Sequence, residues 1–320
     1  MIDLVAERTA LAGLARFLDD PDVTEVMVNG GSEVWVERQH RMSRAGSIST
    51  AALMGAVEQI LAPLGRRVDR LSPIVDARLA DGSRLCVAIP PVAVDGPCVS
   101  IRRFADRTLR LDDFADPAVV EVVASLVSRR CNLVVSGATS TGKTSLLNAL
   151  CGLIPDSERV ITMEDTAELR LDHAHVVRLE TRGATAEGVG RVTMADLLRL
   201  ALRMRPDRLV LGEARGPEVL ELLQAMNTGH DGSMATIHAN SAADALGRVC
   251  ALVLTAAPAW PPAVVGELAG SAIDVMLHLG RSADGARRVI EVVELGAGGG
   301  VERVLVRDGV AVGVAQRGRR

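Results

Sequence analysis

The sequence predicts an α/β protein: a nucleotide-binding domain of alternating strands and helices, preceded by a smaller N-terminal α+β domain. Three observations predict it. A phosphate-loop pattern sits between a strand and a helix at residues 132–150. The segments that follow alternate between buried-strand and amphipathic-helix texture, as a doubly wound sheet demands. Residues 1–104 instead carry paired strands around hairpin turns and no phosphate motif. A length of 320 residues suits two domains. The expected division is 1–104 for the N-terminal module, 105–117 for a linker containing Asp112, Asp113, Asp116 and Pro117, and 118–320 for the nucleotide-binding domain.

In the N-terminal module a helix is expected from Leu4 to Phe17. Strands Glu25–Asn29 and Glu33–Glu37 follow, joined by the hairpin signal Gly30-Gly31-Ser32. A second helix spans about Ala51 to Leu64. Ile74–Leu79 and Ser83–Ile89 flank Asp81-Gly82, again as a hairpin, and Cys98–Phe104 is the last strand. Arg78, Arg84, Arg102 and Arg103 occupy strand positions; solvated faces are their common fate, and reaching a nucleotide on a neighbouring domain or subunit is the alternative.

The phosphate loop is the sharpest signal. Asn132–Ser136 is a short apolar strand, and Gly137, Ala138, Thr139, Ser140, Thr141, Gly142, Lys143 and Thr144 follow it as G-x-x-x-x-G-K-T, with Ser145 opening a helix to Leu150. The glycines permit a tight loop whose N–H groups turn inward on a phosphate, and the helix start adds its dipole. Lys143 is placed to reach the β- and γ-phosphates and the Thr144 hydroxyl to ligate Mg²⁺. Composition agrees: among 36 basic residues, Lys143 alone is lysine, so arginine has replaced the compact ammonium everywhere except here.

Beyond the loop, Arg159–Met163 reads as a strand ending in the acids Glu164, Asp165 and Glu168. Carboxylates at a strand's C-terminal end lie where ligands bind in an open parallel sheet. A helix from about Thr193 to Met204 stops at Pro206, and the buried strand Leu209–Gly212 presents Glu213 at its tip, the Walker B position, with Gly212 where an aspartate is usual. Glu218–Met226 is a further helix. Ser233–His238 is a strand flanked by His230 and His238, which read as γ-phosphate sensors or as ordinary hydrogen-bonding histidines. No third ligand at matching spacing supports zinc there, and His173-Ala174-His175 has no supporting ligand either. A helix near Val264–Ala272 precedes strands Val275–Leu279, Arg288–Leu295 and Val301–Arg307. The terminal Arg317-Gly318-Arg319-Arg320 is expected in solvent.

Composition narrows the classes. Hydrophobic residues at 48% and charged residues at 24% exclude extended disorder. A net charge of −4, five aromatics and no tyrosine speak against a nucleic-acid binder. Five cysteines without a C-x-x-C pair disfavour a zinc ribbon or a disulfide framework and point to a reducing compartment. Met1-Ile2-Asp3 lacks a basic signal-peptide start, and the uncharged Val249–Gly266 stretch is broken by Pro258, Pro261 and Pro262 into helix, loop and helix. A cytoplasmic location is expected.

Four blocks in this order resemble the secretion ATPases of type II and type IV systems, and most closely the Tad/Flp pilus-assembly branch. They are the Walker A loop Gly137–Thr144, the acidic box Glu164–Glu168, the segment Arg205–Gly216 and the histidine box His230–His238. Asp76-Ala77-Arg78 and Ile89-Pro90-Pro91 resemble the module that precedes the motor in that branch. The resemblance implies a RecA-like P-loop ATPase domain that hexamerises with ATP and Mg²⁺ between subunits. It implies that Glu164 and Glu213 polarise the attacking water and arrange Mg²⁺ with Thr144, that His230 and His238 sense the γ-phosphate, and that Arg102 and Arg78 complete a neighbour's site. The partner it implies is an inner-membrane platform protein, which would hold the ring peripherally at the membrane. A motor for type IV secretion or conjugation fits the same residues; a RecA-like nucleic-acid translocase and a non-hydrolysing scaffold are the rivals from other classes.

Overall fold

A computed structural model describes residues 9–38, 41–103, 109–139, 141–184, 189–282 and 285–319. The chain divides into two units: residues 1–107 with 184–191, and the remainder.

The first unit is a six-stranded antiparallel sheet. Its strands are β1 (Val23–Asn29), β2 (Glu33–Arg38), β3 (Arg41–Ser47), β4 (Ile74–Arg78), β5 (Arg84–Ala88) and β6 (Cys98–Arg102), in the order β3-β2-β1-β6-β5-β4. Alternation decides the faces. Val26, Val28, Val34, Val36, Leu85, Val87, Val99 and Ile101 point one way and are buried with Leu53, Val57, Ile60 and Leu61 of helix α2 (Thr50–Leu61), which Ser49 caps. The helix expected over residues 4–17 is not continuous: its described part is helical at residues 9–10, turns at 11–14 and resumes as α1 (Ala15–Leu18). A side chain at Gly13 would press on Ile48, 2.9 Å from its Cδ1. Phe104 lies outside the described residues.

The second unit is a nine-stranded sheet with helices on both faces. Its strands are β7 (Leu133–Gly137), β8 (Val160–Glu164), β9 (Val176–Glu180), β10 (Arg208–Leu211), β11 (Met234–His238), β12 (Val275–Arg281), β13 (Arg287–Leu295), β14 (Val301–Arg307) and β15 (Val310–Ala311). The order is β15-β14-β13-β12-β7-β11-β10-β8-β9; β12 to β9 run parallel and the other three antiparallel. The parallel strands β7, β8 and β10 are buried at every position, the pattern of a sheet covered on both sides. Helices α3 (Pro117–Ser128) and α4 (Lys143–Cys151) cover one face. Helices α5 (Met194–Leu202), α6 (Glu218–Met226), α7 (Ala242–Ala256) and α8 (Pro262–Ala272) cover the other. Thr193 and Asp196 form a capping box on α5, and Ser241 caps α7. No helix among the described residues is long and apolar enough to cross a membrane.

Two expectations change here. The described part of the 105–117 stretch packs as core of the second unit, with Leu111, Phe114 and Ala115 buried, and does not hang as a linker. The basic tail is docked, not in solvent. Arg319 bonds Asp274 (Nε to Oδ2, 2.7 Å) and the carbonyls of Met226, Ser271 and Ala272, the C-terminal ends of α6 and α8. The N–H groups of Gln316 and Arg317 reach Glu294 Oε1 at 2.8 Å. Asp274 and Glu294 are buried acids, so a guanidinium placed on helix C-termini both neutralises charge and satisfies terminal carbonyls. Arg320 lies outside the described residues.

Candidate nucleotide site

The site forms where β7, β11 and β10 end side by side. Parallel register sets Gly137 against His238, and Ala235 against Leu211, so the phosphate loop, the histidine box and the Walker B tip emerge at one edge. Gly137 must be glycine: a Cβ there would lie 2.6 Å from the Leu279 carbonyl oxygen and 2.7 Å from Thr141 Oγ1. Gly142 has φ +97° and leads directly into α4. Thr141 ties the loop by donating to the Ala138 carbonyl at 2.9 Å. Gly137, Ala138, Thr139, Gly142, Thr144 and Ser145 lie on this strand–loop–helix turn, and Ser140 lies outside the described residues.

Lys143 is 8% exposed, and its Nζ donates to the carbonyls of Gly137 (3.1 Å) and Ala138 (2.9 Å). It also lies 3.3 Å from His238 Nδ1. Burial pulls its pKa below the usual lysine range, against the pull of Glu213. His238 is likewise held below its ordinary value, by burial and by the Lys143 charge. A neutral ring accepting at Nδ1 from the ammonium carries its proton on Nε2, which lies against Glu213 Oε1. Glu213 Oε2 accepts from Arg215 Nε at 2.7 Å, and Arg215 continues to Asp165 at 3.4 Å. Glu218, buried at the start of α6, accepts the N–H groups of Arg215 and Gly216 at 2.8 Å and fixes the turn that aims Glu213.

Lys143, His238 and Glu213 are therefore in one chain of contacts. Glu164 stands beside them, its Cγ 2.7 Å from where a Gly212 Cβ would be, which is why glycine precedes Glu213. Its carboxylate is already committed: Oε1 accepts from the N–H groups of Glu168 and Leu169 at 3.0 Å, and Oε2 from Leu169 at 3.3 Å. Burial pushes it up to about 7 in spite of those donors. Both of its oxygens are thus engaged by N–H groups of the acidic box, beside the Gly212–Glu213 backbone.

His230 is not part of this cluster. It precedes the other end of β11, where its Nδ1 meets the Ala225 carbonyl at 3.2 Å. A five-residue strand rises about 3.3 Å per residue, which separates the two histidines by most of the sheet's depth. Within one chain, only His238 reaches the phosphate loop. Arg78 and Arg102 belong to the first unit. With Arg84 they form one row across β4, β5 and β6, because Arg78 pairs with Arg84 and Arg84 with Arg102. The row lies on the face opposite the apolar core.

Mg²⁺ chemistry can be tested against the donors present. Among the described residues no three His, Cys, Asp or Glu side chains gather as metal ligands. Magnesium commonly takes one or two protein oxygens and completes its octahedron with water and substrate phosphate. The Thr144 hydroxyl and Glu213 supply that type of set. Glu213 Oε1 is buried and has no aligned hydrogen bond, although His238 Nε2 lies against it.

Comparison with known proteins decides the family. The family model described as "Type II/IV secretion system protein" matches residues 7–295. The chain belongs to the type II/IV secretion system protein family. A Mycobacterium tuberculosis chain named for conjugal transfer is 38% identical over 305 residues, covering 91% of this chain and 86% of that one. Conjugal transfer protein TrbB of Rhizobium radiobacter is 36% identical, covering 87% and 85%. Type IV secretion system protein PtlH of Bordetella pertussis is 32% identical, covering 87% and 91%. The solved pilus retraction motor PilT with bound ADP aligns with TM-score 0.64 at 19% identity, over 92% of this chain and 84% of that one. The Legionella pneumophila ATPase DotB aligns with TM-score 0.60 at 19% identity, over 89% and 80%. The fold of this family member is therefore the RecA-like P-loop fold of those motors.

Four residues around the site carry no signal of it in the sequence. Arg215 lay inside a recognised block but had no role, and Glu218 read only as a helix residue. His278, whose Nδ1 lies 3.0 Å from Ser136 Oγ beneath the loop, and Arg287, beside Gly142, come from β12 and β13. Nothing local in the sequence marks either one.

Proposed function

We propose that this chain is an ATP-hydrolysing motor of a type IV secretion or conjugation machine, working as a homo-hexameric ring with Mg²⁺. The observation that carries the hydrolytic reading is the contact chain Lys143–His238–Glu213 at the mouth of the phosphate loop. Lys143 exchanges its loop carbonyls for the β- and γ-phosphates and neutralises charge that develops on them. Glu213 holds the attacking water and takes its proton, with Arg215 holding the carboxylate in place. His238 lies between the two and couples the position of Lys143 to that of Glu213. Thr144 and Glu213 would hold Mg²⁺, which neutralises phosphate oxygens when bound.

The relatives named for conjugal transfer and type IV secretion favour this cargo class over the Tad/Flp pilus branch to which the sequence blocks had pointed. The Tad/Flp assignment is not retained as the leading one. An inner-membrane platform protein is the proposed partner, with the ring peripheral to the cytoplasmic face.

The arginine row of the first unit is proposed to serve a neighbouring subunit's nucleotide. Mixing Lys143→Ala protein with Arg102→Ala or Arg78→Ala protein should restore hydrolysis in mixed rings, because one shared interface then has both an intact loop and an intact arginine. Mixed rings that form, by pull-down of two tags, yet stay inactive for both arginine variants would contradict the shared site.

A further inference from the structure

We infer that Arg287 is a phosphate-contacting residue of the nucleotide site in its own chain, on the side of the β-phosphate. This rests on the nucleotide site proposed above and adds to it a residue that none of the four sequence blocks contains.

The placement comes from the sheet. Strand β12 runs parallel to β7 directly beneath the loop, with His278 opposite Ser136 and the Leu279 carbonyl against Gly137. The chain then turns back as β13, whose first residue is Arg287. Its guanidinium arm lies on Gly142: a Cβ built there would meet Arg287 Cδ at 2.9 Å, Nη1 at 3.2 Å and Nε at 3.3 Å. Glycine at 142 thus serves two needs, a left-handed backbone and room for this side chain. Gly142 immediately precedes Lys143 and Thr144, the residues whose N–H groups open α4 and face a bound β-phosphate.

Charge points the same way. Register sets Arg281 opposite Arg287, and Arg281 Nη1 donates to the Gly285 carbonyl at 3.0 Å. Arg288, one position on, meets Asp116 at 3.3 Å. An arginine fork resting on the loop matches the planar recognition of phosphate oxygens. A β-side contact is present in both ATP and ADP, whereas a γ-phosphate sensor distinguishes them.

Binding of fluorescent ADP and ATP, followed by anisotropy, tests this without relying on turnover. Arg287→Ala should weaken both nucleotides about tenfold or more, the scale of a lost charge-assisted hydrogen bond. Arg287→Lys should recover part of the loss, and the melting temperature without nucleotide should stay at the wild-type value. Arg287→Gln, close in length but uncharged, gives the same reading if the alanine variant does not fold. Affinities within twofold of wild type while Lys143→Ala loses binding would overturn the inference and leave the nucleotide site standing. Tighter binding in Arg287→Ala would also overturn it, by showing that the arginine blocks the loop. Failure of wild type itself to bind would overturn the nucleotide site and this inference together.

Discussion

Glu213→Gln should lower ATP hydrolysis by about 10²–10⁴-fold while ADP affinity stays within a few-fold of wild type. The amide keeps the side chain's shape and can accept from Arg215, but under the proposed mechanism it cannot take a proton from water and lacks the charge that would hold Mg²⁺. Binding depends on other groups: the loop N–H donors, Lys143 and the start of α4. Lys143→Ala should therefore behave differently and lose binding together with turnover. The pair is measured by steady-state phosphate release and by ADP titration on the same preparations. Loss of ADP binding in Glu213→Gln equal to that in Lys143→Ala would mean that Glu213 holds the site together and does not activate water.

Glu164→Gln should change the pH dependence of stability. The Glu164 carboxyl is raised in the folded chain to about 7 from an ordinary 4.5, chiefly by burial. Between those values the folded state binds more protons than the unfolded state. Stability is therefore lost as pH rises through this window, the reverse of the usual carboxylate pattern. Above pH 7 the wild type carries the whole penalty of a buried carboxylate, about 3 kcal/mol at about 1.4 kcal/mol per pKa unit. Below about pH 4.5 it carries none. Glutamine cannot ionise, and its carbonyl oxygen can still accept from Glu168 and Leu169 as Oε1 does now. Urea unfolding at pH 5 and pH 8 should show the variant gaining on wild type by most of that amount at the higher pH. An equal difference at both values would mean that Glu164 stays ionised throughout.

The readable parts of this chain were those where local chemistry and global placement agree. Leu133–Gly137, Val160–Glu164 and Arg208–Leu211 are fully buried strands and read as apolar runs, and each ends at the edge that carries the phosphate loop, Glu164 and Glu213. Edge strands escaped notice. Arg41–Ser47 has no apolar alternation, and Val176–Glu180 is short and half-exposed, because a strand paired on one side needs little hydrophobic pattern. His230 and His238 sat in one sequence block, but a strand separates its ends and only His238 reaches the loop. The tail looked solvated because its arginines outnumber nearby acids in sequence. Its partners Asp274 and Glu294 lie 20 to 45 residues upstream and are buried. His278 and Arg287 reach the loop through the pairing of β12 with β7 and β13, a register set by long-range packing.

The central claim is that this phosphate loop works as part of a ring motor. It is tested most directly by the hydrolysis rate per chain as a function of protein concentration, with sedimentation velocity on the same samples. The account predicts a rate that is low for the monomer and rises in step with a species of six chains. A rate independent of concentration, or no hydrolysis by an assembled ring that binds ADP, would contradict it.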